Sequence, residues 1–445
     1  MKTVKYTIFA AAAAAIAFAP GAYAFHSGGV AECEGCHTMH NTRSSGRAVP
    51  FSNGTGNGAK FLLQGSDQSS TCLNCHNQPD TAPSSYHIST DDSMLGPGKA
   101  PAEMTPGGDF AWIKKNYQFV LRGSTVNNSG DSHGHNIVAA DYGYTADHTH
   151  TGNVSPGGNY PVDSLACSSC HDPHGKYRRF ADGTYATTGL PIFNSGSYNT
   201  SADPISGVAA VGVYRLLGGV GYQPKSLADQ GGSYQFVNPS PEAVAPSTYN
   251  RSEATTQTHV AYRQGMSEWC ANCHGAMLEN NYASGTAGHR HPAGSSAKFT
   301  AAIAANYNSY VSSGILTNTD PTKAYSTLAP FELGSGKTWA QLKALAVNTD
   351  DQDQSASTSA NVMCLSCHRA HASGFAEGTR FMLENEFMTT NTSGVAAYDA
   401  TTTNGGSGIN QGLSVAEQQA AYYGRPATFF GPNARNYCNK CHAKD

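Results

Sequence analysis

Six pentads of the form Cys-x-x-Cys-His run along the 445 residues and use all twelve cysteines: Cys33/Cys36/His37, Cys72/Cys75/His76, Cys167/Cys170/His171, Cys270/Cys273/His274, Cys364/Cys367/His368 and Cys438/Cys441/His442. Two thiols three residues apart, followed at once by an imidazole, have the spacing of covalent haem attachment. The sulfurs form thioethers with the porphyrin vinyl groups, and the histidine reaches the iron from one face. Disulfide use leaves a histidine after every second cysteine unexplained. Zinc sites pair two half-sites or add a downstream histidine pair, and have no need of six identical pentads. Six covalently bound haem c groups are expected, each with its iron held proximally by His37, His76, His171, His274, His368 or His442.

The sixth coordination position separates electron carriers from catalysts, because an open position admits substrate and a second histidine closes it. Twelve of the 18 histidines remain for six distal positions. The methionines sit mostly in apolar contexts and read as packing residues. Three motifs extend to C-x-x-C-H-x-x-H, adding His40, His174 and His371. Three residues past the proximal ligand is too close to its own haem to cross to the far face, so each should serve an adjacent haem, and the haems must lie nearly in contact. His26, His87, His135 and His291 bring the candidates to seven for six places, one of them surplus. In the alternating pairs His133/His135 and His289/His291 the second member is favoured. His133, His148, His150, His259 and His289 are expected to be solvated.

The elements that must hold these residues read weakly. Thr258 to Tyr282, which carries the fourth motif, Ala297 to Val311, Thr338 to Val347, Ala376 to Met388 and Ser414 to Tyr423 have helical pattern. Ser52 to Gly58, Ser195 to Ser201 and Thr401 to Gly408 read as loops. First cysteines of successive motifs are 39, 95, 103, 94 and 74 residues apart, without a common period. With 39% hydrophobic residues and 48 glycines, the chain is poorly equipped to offset its conformational entropy with its own side chains. The haem stack is expected to be the core. The fold class that follows is a multihaem cytochrome c, mostly loop and coil with short α-helices and very little strand, wrapped around a continuous haem chain.

Lys2 and Lys5, the apolar run Ile8 to Ala19 and Ala22-Tyr23-Ala24 read as a secretory signal over residues 1–24. Residues 25–445 then form a single hexahaem domain with no later run long enough to span a membrane. The mature segment has 25 basic against 31 acidic residues, opposite to a nucleic-acid surface. Asp350, Asp351 and Asp353 could bind calcium but read as a solvated run. Lys176, Arg178 and Arg179 could pair with haem propionates.

The segments FHSGGVAECEGCHTMHN (Phe25 to Asn41), SYHIST (Ser85 to Thr90), CSSCHDPHGKYRRF (Cys167 to Phe180), GMSEWCANCH (Gly265 to His274), NVMCLSCHRAHASGF (Asn361 to Phe375) and the terminal YCNKCHAKD resemble the OmcS-like family, the hexahaem outer-surface c-type cytochromes of metal-reducing bacteria. The resemblance implies export through the periplasm to the cell surface and polymerisation into conductive extracellular filaments. It also implies long-range electron transfer through bis-histidine haems to metal oxides or other multihaem cytochromes. In such filaments His40 would ligate the haem held by Cys364, Cys367 and His368 of the neighbouring subunit. The chain would be an electron carrier and not an enzyme. A monomeric periplasmic shuttle, or a reductase with one open haem, are the other readings of the same motifs; no Cys-x-x-Cys-Lys motif of the reductase kind occurs.

Overall fold

The computed structural model describes residues 33–38, 60–77, 87–150, 152–174, 197–199, 203, 214–228, 231–246, 253, 259–278, 291–309, 324–348 and 354–442. The signal segment, His26, His40, His289, Lys176, Arg178, Arg179, the Asp350/Asp351/Asp353 run and the Ser52 to Gly58 loop lie outside them.

Short helices carry five of the motifs: α1 Cys33–Cys36, α2 Gln68–His76, α3 Cys167–Cys170, α5 Met266–Leu278 and α8 Cys364–Cys367. Tyr437–Lys440 is a 3-10 turn at the sixth. Between these lie α4 Lys225–Ala228, α6 Ala301–Ser309, α7 Trp339–Leu345, α9 Val415–Ala421 and α10 Ala427–Phe430. Reciprocal capping boxes start two of them, Thr338 with Gln341 at α7 and Ser414 with Glu417 at α9, each satisfying two otherwise orphaned N–H groups. Among the described residues no helix is long and apolar enough to cross a membrane.

Strands are few. β1 Tyr117–Leu121 and β2 Ser124–Asn128 form an antiparallel hairpin with Leu121 opposite Ser124. Its two turn residues, Arg122 and Gly123, both have positive φ, 50° and 83°, the handedness that two-residue hairpins require. β3 Ser197–Tyr198 runs parallel to β4 Glu242–Ala245, which pairs antiparallel with β5 Ala261–Gln264. β6 Thr390–Thr392 and β7 Val395–Ala397 make a second small hairpin.

Three sequence expectations need correction here. The helix over Ala376 to Met388 is absent: only Ala376–Gly378 forms a 3-10 turn, because Glu377 and Gly378 take positive φ, 56° and 59°, and the backbone turns onto the fifth motif. The stretch from Thr258 is split, with β5 before Gly265 (φ 93°) and the helix only after it. Part of the Ser195 to Ser201 loop is strand β3.

The haems are also not the whole core. Phe299, Tyr307, Tyr325 and Phe331 pack ring on ring with centroids 5.0–6.2 Å apart. Phe375, Tyr422 and Phe430 do so at 5.0 and 5.2 Å, within one cluster that also takes in Trp112 and Leu342. Aromatic pairs of this kind contribute roughly 0.5–1.5 kcal/mol each beyond area burial. A second cluster joins Tyr214 and Leu217, Tyr262 and Met266, and Met363 and Leu365. It ties the surroundings of the third, fourth and fifth motifs into one packed unit.

Candidate haem sites

One helical turn puts residues i and i+3 on the same face, so each motif presents its two thiols together. In the third and fifth motifs the histidine then leaves the helix: His171 and His368 are extended, at φ −103° and −108°, while their N–H groups still bond Cys167 O and Cys364 O at 3.0 Å. His442 N bonds Cys438 O at the same distance.

Two of the attachment thiols differ from the rest in exposure. Cys75, in the second motif, and Cys438, in the sixth, are exposed, whereas the other nine cysteines of known burial are partly covered. Helix geometry explains Cys75: residues two apart point to different sides, and Leu73, fully buried in the main cluster, turns the side carrying Cys75 outward. Cys438 stands between buried Tyr437 and Asn439 in its 3-10 turn.

A second segment clamps the exit of three motifs in the same way. His37, His171 and His368 each place Nδ1 2.7 Å from a backbone carbonyl, that of Phe61, Arg215 and Glu377 respectively. The N–H after each histidine bonds the next carbonyl of the clamp (Thr38 to Leu62, Asp172 to Leu216, Arg369 to Gly378), and the clamp returns an N–H to the second cysteine (Gln64 to Cys36, Gly218 to Cys170, Arg380 to Cys367). The three accepting residues have φ of 61°, 47° and 56°. Left-handed backbone costs a non-glycine residue roughly 1–2 kcal/mol, and such strain persists where surrounding structure over-determines it. At the fourth motif the loop 155–158 does this work. Pro156 O lies 2.8 Å from His274 Nδ1, and Gly158 is required because a Cβ there would overlap Cys273 O. The sequence reading missed these clamps; the Leu-Leu after Phe61 and after Arg215 is their only shared trace.

A histidine whose Nδ1–H donates to a carbonyl has its lone pair on Nε2, oriented for a metal on the other side of the ring. His135 and His291 are anchored likewise, on Ala370 O and Pro292 O at 2.8 Å. The rings meet in pairs. His37 faces His174 with centroids 6.3 Å apart and planes at 14°; His135 lies 6.0 Å from His274, and His291 5.8 Å from His442, with Nε2 atoms 3.5 Å apart. A metal–imidazole bond of about 2.0–2.1 Å on either side of one ion puts trans Nε2 atoms roughly 4 Å apart and ring centroids roughly 6 Å apart. These pairs fit an iron between them.

His371 packs on the Phe110 ring at 4.6 Å and against Gly107, where a Cβ would come within 2.8 Å of Nδ1. Burial, and then neighbouring His171, bring its pKa down to about 3. Burial likewise brings His274 down to about 4 and lowers His135, His171 and His368. Neutral imidazoles are what metal ligation needs. His87 is buried, and the next residue, Ile88, donates its N–H to His76 O at 3.0 Å. His148 and His150 are exposed, but His133 and His259 are both 0% exposed, so the expectation that they are solvated is wrong. His133 is walled in by Tyr117, 5.7 Å ring to ring, and held to Trp112 O at 3.0 Å; His259 stacks on Tyr325 at 3.9 Å.

Neighbouring motifs touch through a repeated device. Ser69, three residues before Cys72, caps the N–H of Cys167 at 3.2 Å, and Ser267, three before Cys270, caps that of Cys364 at 3.0 Å. In both junctions the first cysteines of the two motifs are within hydrogen-bonding reach, Cys72 with Cys167 and Cys270 with Cys364. The attachment points of the second and third motifs, and of the fourth and fifth, are thereby brought side by side.

No protein-family model matches the chain. Over its whole length, and the whole length of the relative, it is 56% identical to the C-type cytochrome OmcS of Geobacter sulfurreducens. Two solved structures are similar, the cryo-EM structure of the OmcS nanowires and the Outer Membrane Cytochrome S Filament, both from Geobacter sulfurreducens. Each is 56% identical and matches 95% of this chain and all of that one, with TM-scores of 0.80 and 0.78. With haem-attachment motifs, anchored imidazole pairs and identity of this extent along the entire chain, the protein belongs to the OmcS family of c-type cytochromes, electron carriers with covalently bound haem c.

Proposed function

We propose that this chain conducts electrons over long distances through six bis-histidine haems packed edge to edge, and that copies of it join end to end as an outer-surface filament delivering electrons to metal oxides or other multihaem cytochromes. The observation that carries this reading is the set of three histidine pairs at iron-spanning separation, each joining residues from distant parts of the sequence. Haem iron supplies the one-electron couple at each site. Histidine on both sides closes the coordination positions to substrate, so no catalytic residue is assigned. Carbonyl anchors at Nδ1 hold the imidazoles in one tautomer and orientation, which keeps rearrangement on electron arrival small. The serine-capped junctions hold adjacent sites near van der Waals contact, roughly 4 Å.

The same geometry supports a ligand assignment. His174 after the third motif is assigned as the partner of His37 in the first, and His371 after the fifth, within electrostatic reach of His171, as the partner of His171 in the third. His135 serves with His274 and His291 with His442. Each odd motif thus hands its trailing histidine back to the preceding odd motif. The trailing histidine of the first motif, His40, has no earlier motif in its own chain, and the resemblance to the OmcS-like family gives it the fifth motif of another copy, held by His368, which would continue this pattern. Either His26 or His87 then completes His76. The domain carrying all six sites is taken as residues 25–445, reaching the surface through the periplasm after removal of residues 1–24.

Replacing His40 with alanine tests the assembly. The expected product carries six haems by pyridine haemochrome assay and mass spectrometry, yet electron microscopy finds no filaments. Normal filaments from this variant would refute the handover of His40 between subunits.

A further inference from the structure

Four charged side chains with no part in attachment or ligation are packed together beside the fifth motif. Arg369, Arg380 and Arg425 are 2%, 0% and 3% exposed, and Glu253, at 3%, is the carboxylate among them. Arg369 Nη1 and Arg380 Nη1 donate to the same oxygen, Glu253 Oε2, the latter at 3.2 Å. Arg425 Nη2 reaches Glu253 O and Thr327 Oγ1, both at 2.9 Å. Arg369 lies over the Tyr423 ring at 3.6 Å, and its Nε and Nη2 have no hydrogen-bond partner among the described residues. Two further buried carboxylates lie near by. Asp109 has its oxygens taken by Thr90, Glu103 N and Ala111 N, and Glu103 lies on the segment whose Met104, Thr105 and Pro106 carbonyls bond Glu253 N, Tyr423 and Arg369; no guanidinium of the cluster is hydrogen-bonded to Asp109. Among the described residues, three permanently charged arginines have one directly hydrogen-bonded carboxylate among them, Glu253, an excess of positive charge within the cluster before any haem propionate is counted.

This cluster is fastened to the fifth motif. Arg369 follows His368 in the chain, and Arg380 Nε donates to Leu365 O at 2.6 Å and His368 O at 3.1 Å, while its N–H bonds Cys367 O. In the otherwise equivalent clamps of the first and third motifs the residue at the place of Arg380 is Gln64 or Gly218. A buried ion cluster is a weak device for stability, and an unbalanced one weaker still. Its lasting effect is a positive potential, little screened because water is excluded. A positive potential favours whichever state of a nearby site carries the extra electron.

We propose that Arg369, Arg380 and Arg425 form an electrostatic well that raises the midpoint potential of the haem held by Cys364, Cys367 and His368 above that of the haem held by Cys167, Cys170 and His171. This rests on the electron-transfer reading of the same sites. One electron enters at that iron, no proton accompanies it and no further reactant is needed. The arginines act through space and through the carbonyls of the motif. The well sits at the one haem whose sixth ligand is assigned to another subunit, so electrons would dwell at the junction between copies.

The test is a spectroelectrochemical titration of the full-length holoprotein and its variants Glu253→Gln, Arg425→Gln and Arg425→Lys, each confirmed to carry six haems. Arg425 touches Tyr422, Glu253 and Thr327 and no part of the motif, so its substitution changes the charge without unmaking the clamp. In Glu253→Gln one of the midpoints should rise by at least 59 mV, a tenfold change in the ferrous-to-ferric ratio at fixed potential. In Arg425→Gln the same midpoint should fall, and in Arg425→Lys it should stay where it was. Absence of shifts, or shifts of one sign in both charge-changing variants as a loosened haem crevice would give, overturns the proposal. If Arg425→Gln does not accumulate, Glu253→Gln decides alone: a rise supports the well, and a fall or no change overturns it. Failure of the electron-transfer reading would look different, as missing one-electron steps in the unsubstituted protein.

Discussion

At the scale of single residues, the imidazoles are governed by two choices: which nitrogen bonds the backbone, and how far the ring is kept from water. His37, His171, His274 and His368 all give Nδ1 to a carbonyl, which leaves Nε2 for iron. His133 makes the same kind of bond but is buried beside Tyr117, and burial lowers its pKa from 6.5 to about 4 against the opposing effect of the Trp112 carbonyl. Between those two pH values the unfolded chain takes up a proton that the folded chain refuses. Stability from this residue is therefore complete above pH 6.5 and is lost as pH falls toward 4, by about 3 kcal/mol. Chemical denaturation at pH 7 and pH 4.5 should show His133→Gln losing less stability on acidification than the unsubstituted protein; equal losses would mean His133 does not titrate this way. The sequence hid this burial because Gly130 to His135 is rich in small and polar residues and reads as a solvated turn.

At the scale of elements, the even-numbered motifs prepare the odd ones. α2 supplies Ser69 to the first N–H of α3, and α5 supplies Ser267 to that of α8. Capping bonds of this type are worth roughly 1 kcal/mol. Ser69→Ala and Ser267→Ala should each lower stability by about that amount, and the double variant by about the sum. Urea unfolding followed in the Soret band checks this; a double variant no worse than either single one would mean that the two caps are not independent. How legible was this? The two helices with capping boxes could be placed within a residue or two because Thr338/Gln341 and Ser414/Glu417 announce themselves locally. The clamps could not, since Phe61, Arg215 and Glu377 act through main-chain carbonyls that any side chain can carry.

At the scale of the whole molecule, the class of cofactor, covalently bound haem c, was legible because its attachment demands adjacent residues, whereas the pairing of histidines across the fold was not. His135 and His274, or His291 and His442, are brought together only by the fold. The aromatic cluster from Phe299 to Tyr437 was also underestimated, since composition averages its rings with the Gly- and Ser-rich loops. Cofactor and protein share the burden of the core, and under the proposed ligation imidazole on both faces of every iron would make the assembled array a conductor with no point of entry for substrate. Carbon monoxide binding to the fully reduced, native protein tests that claim most directly. The expected result is an unchanged Soret spectrum with no iron–carbonyl infrared band; uptake approaching one carbon monoxide per chain would mean that at least one iron is open and that conduction is not its whole task.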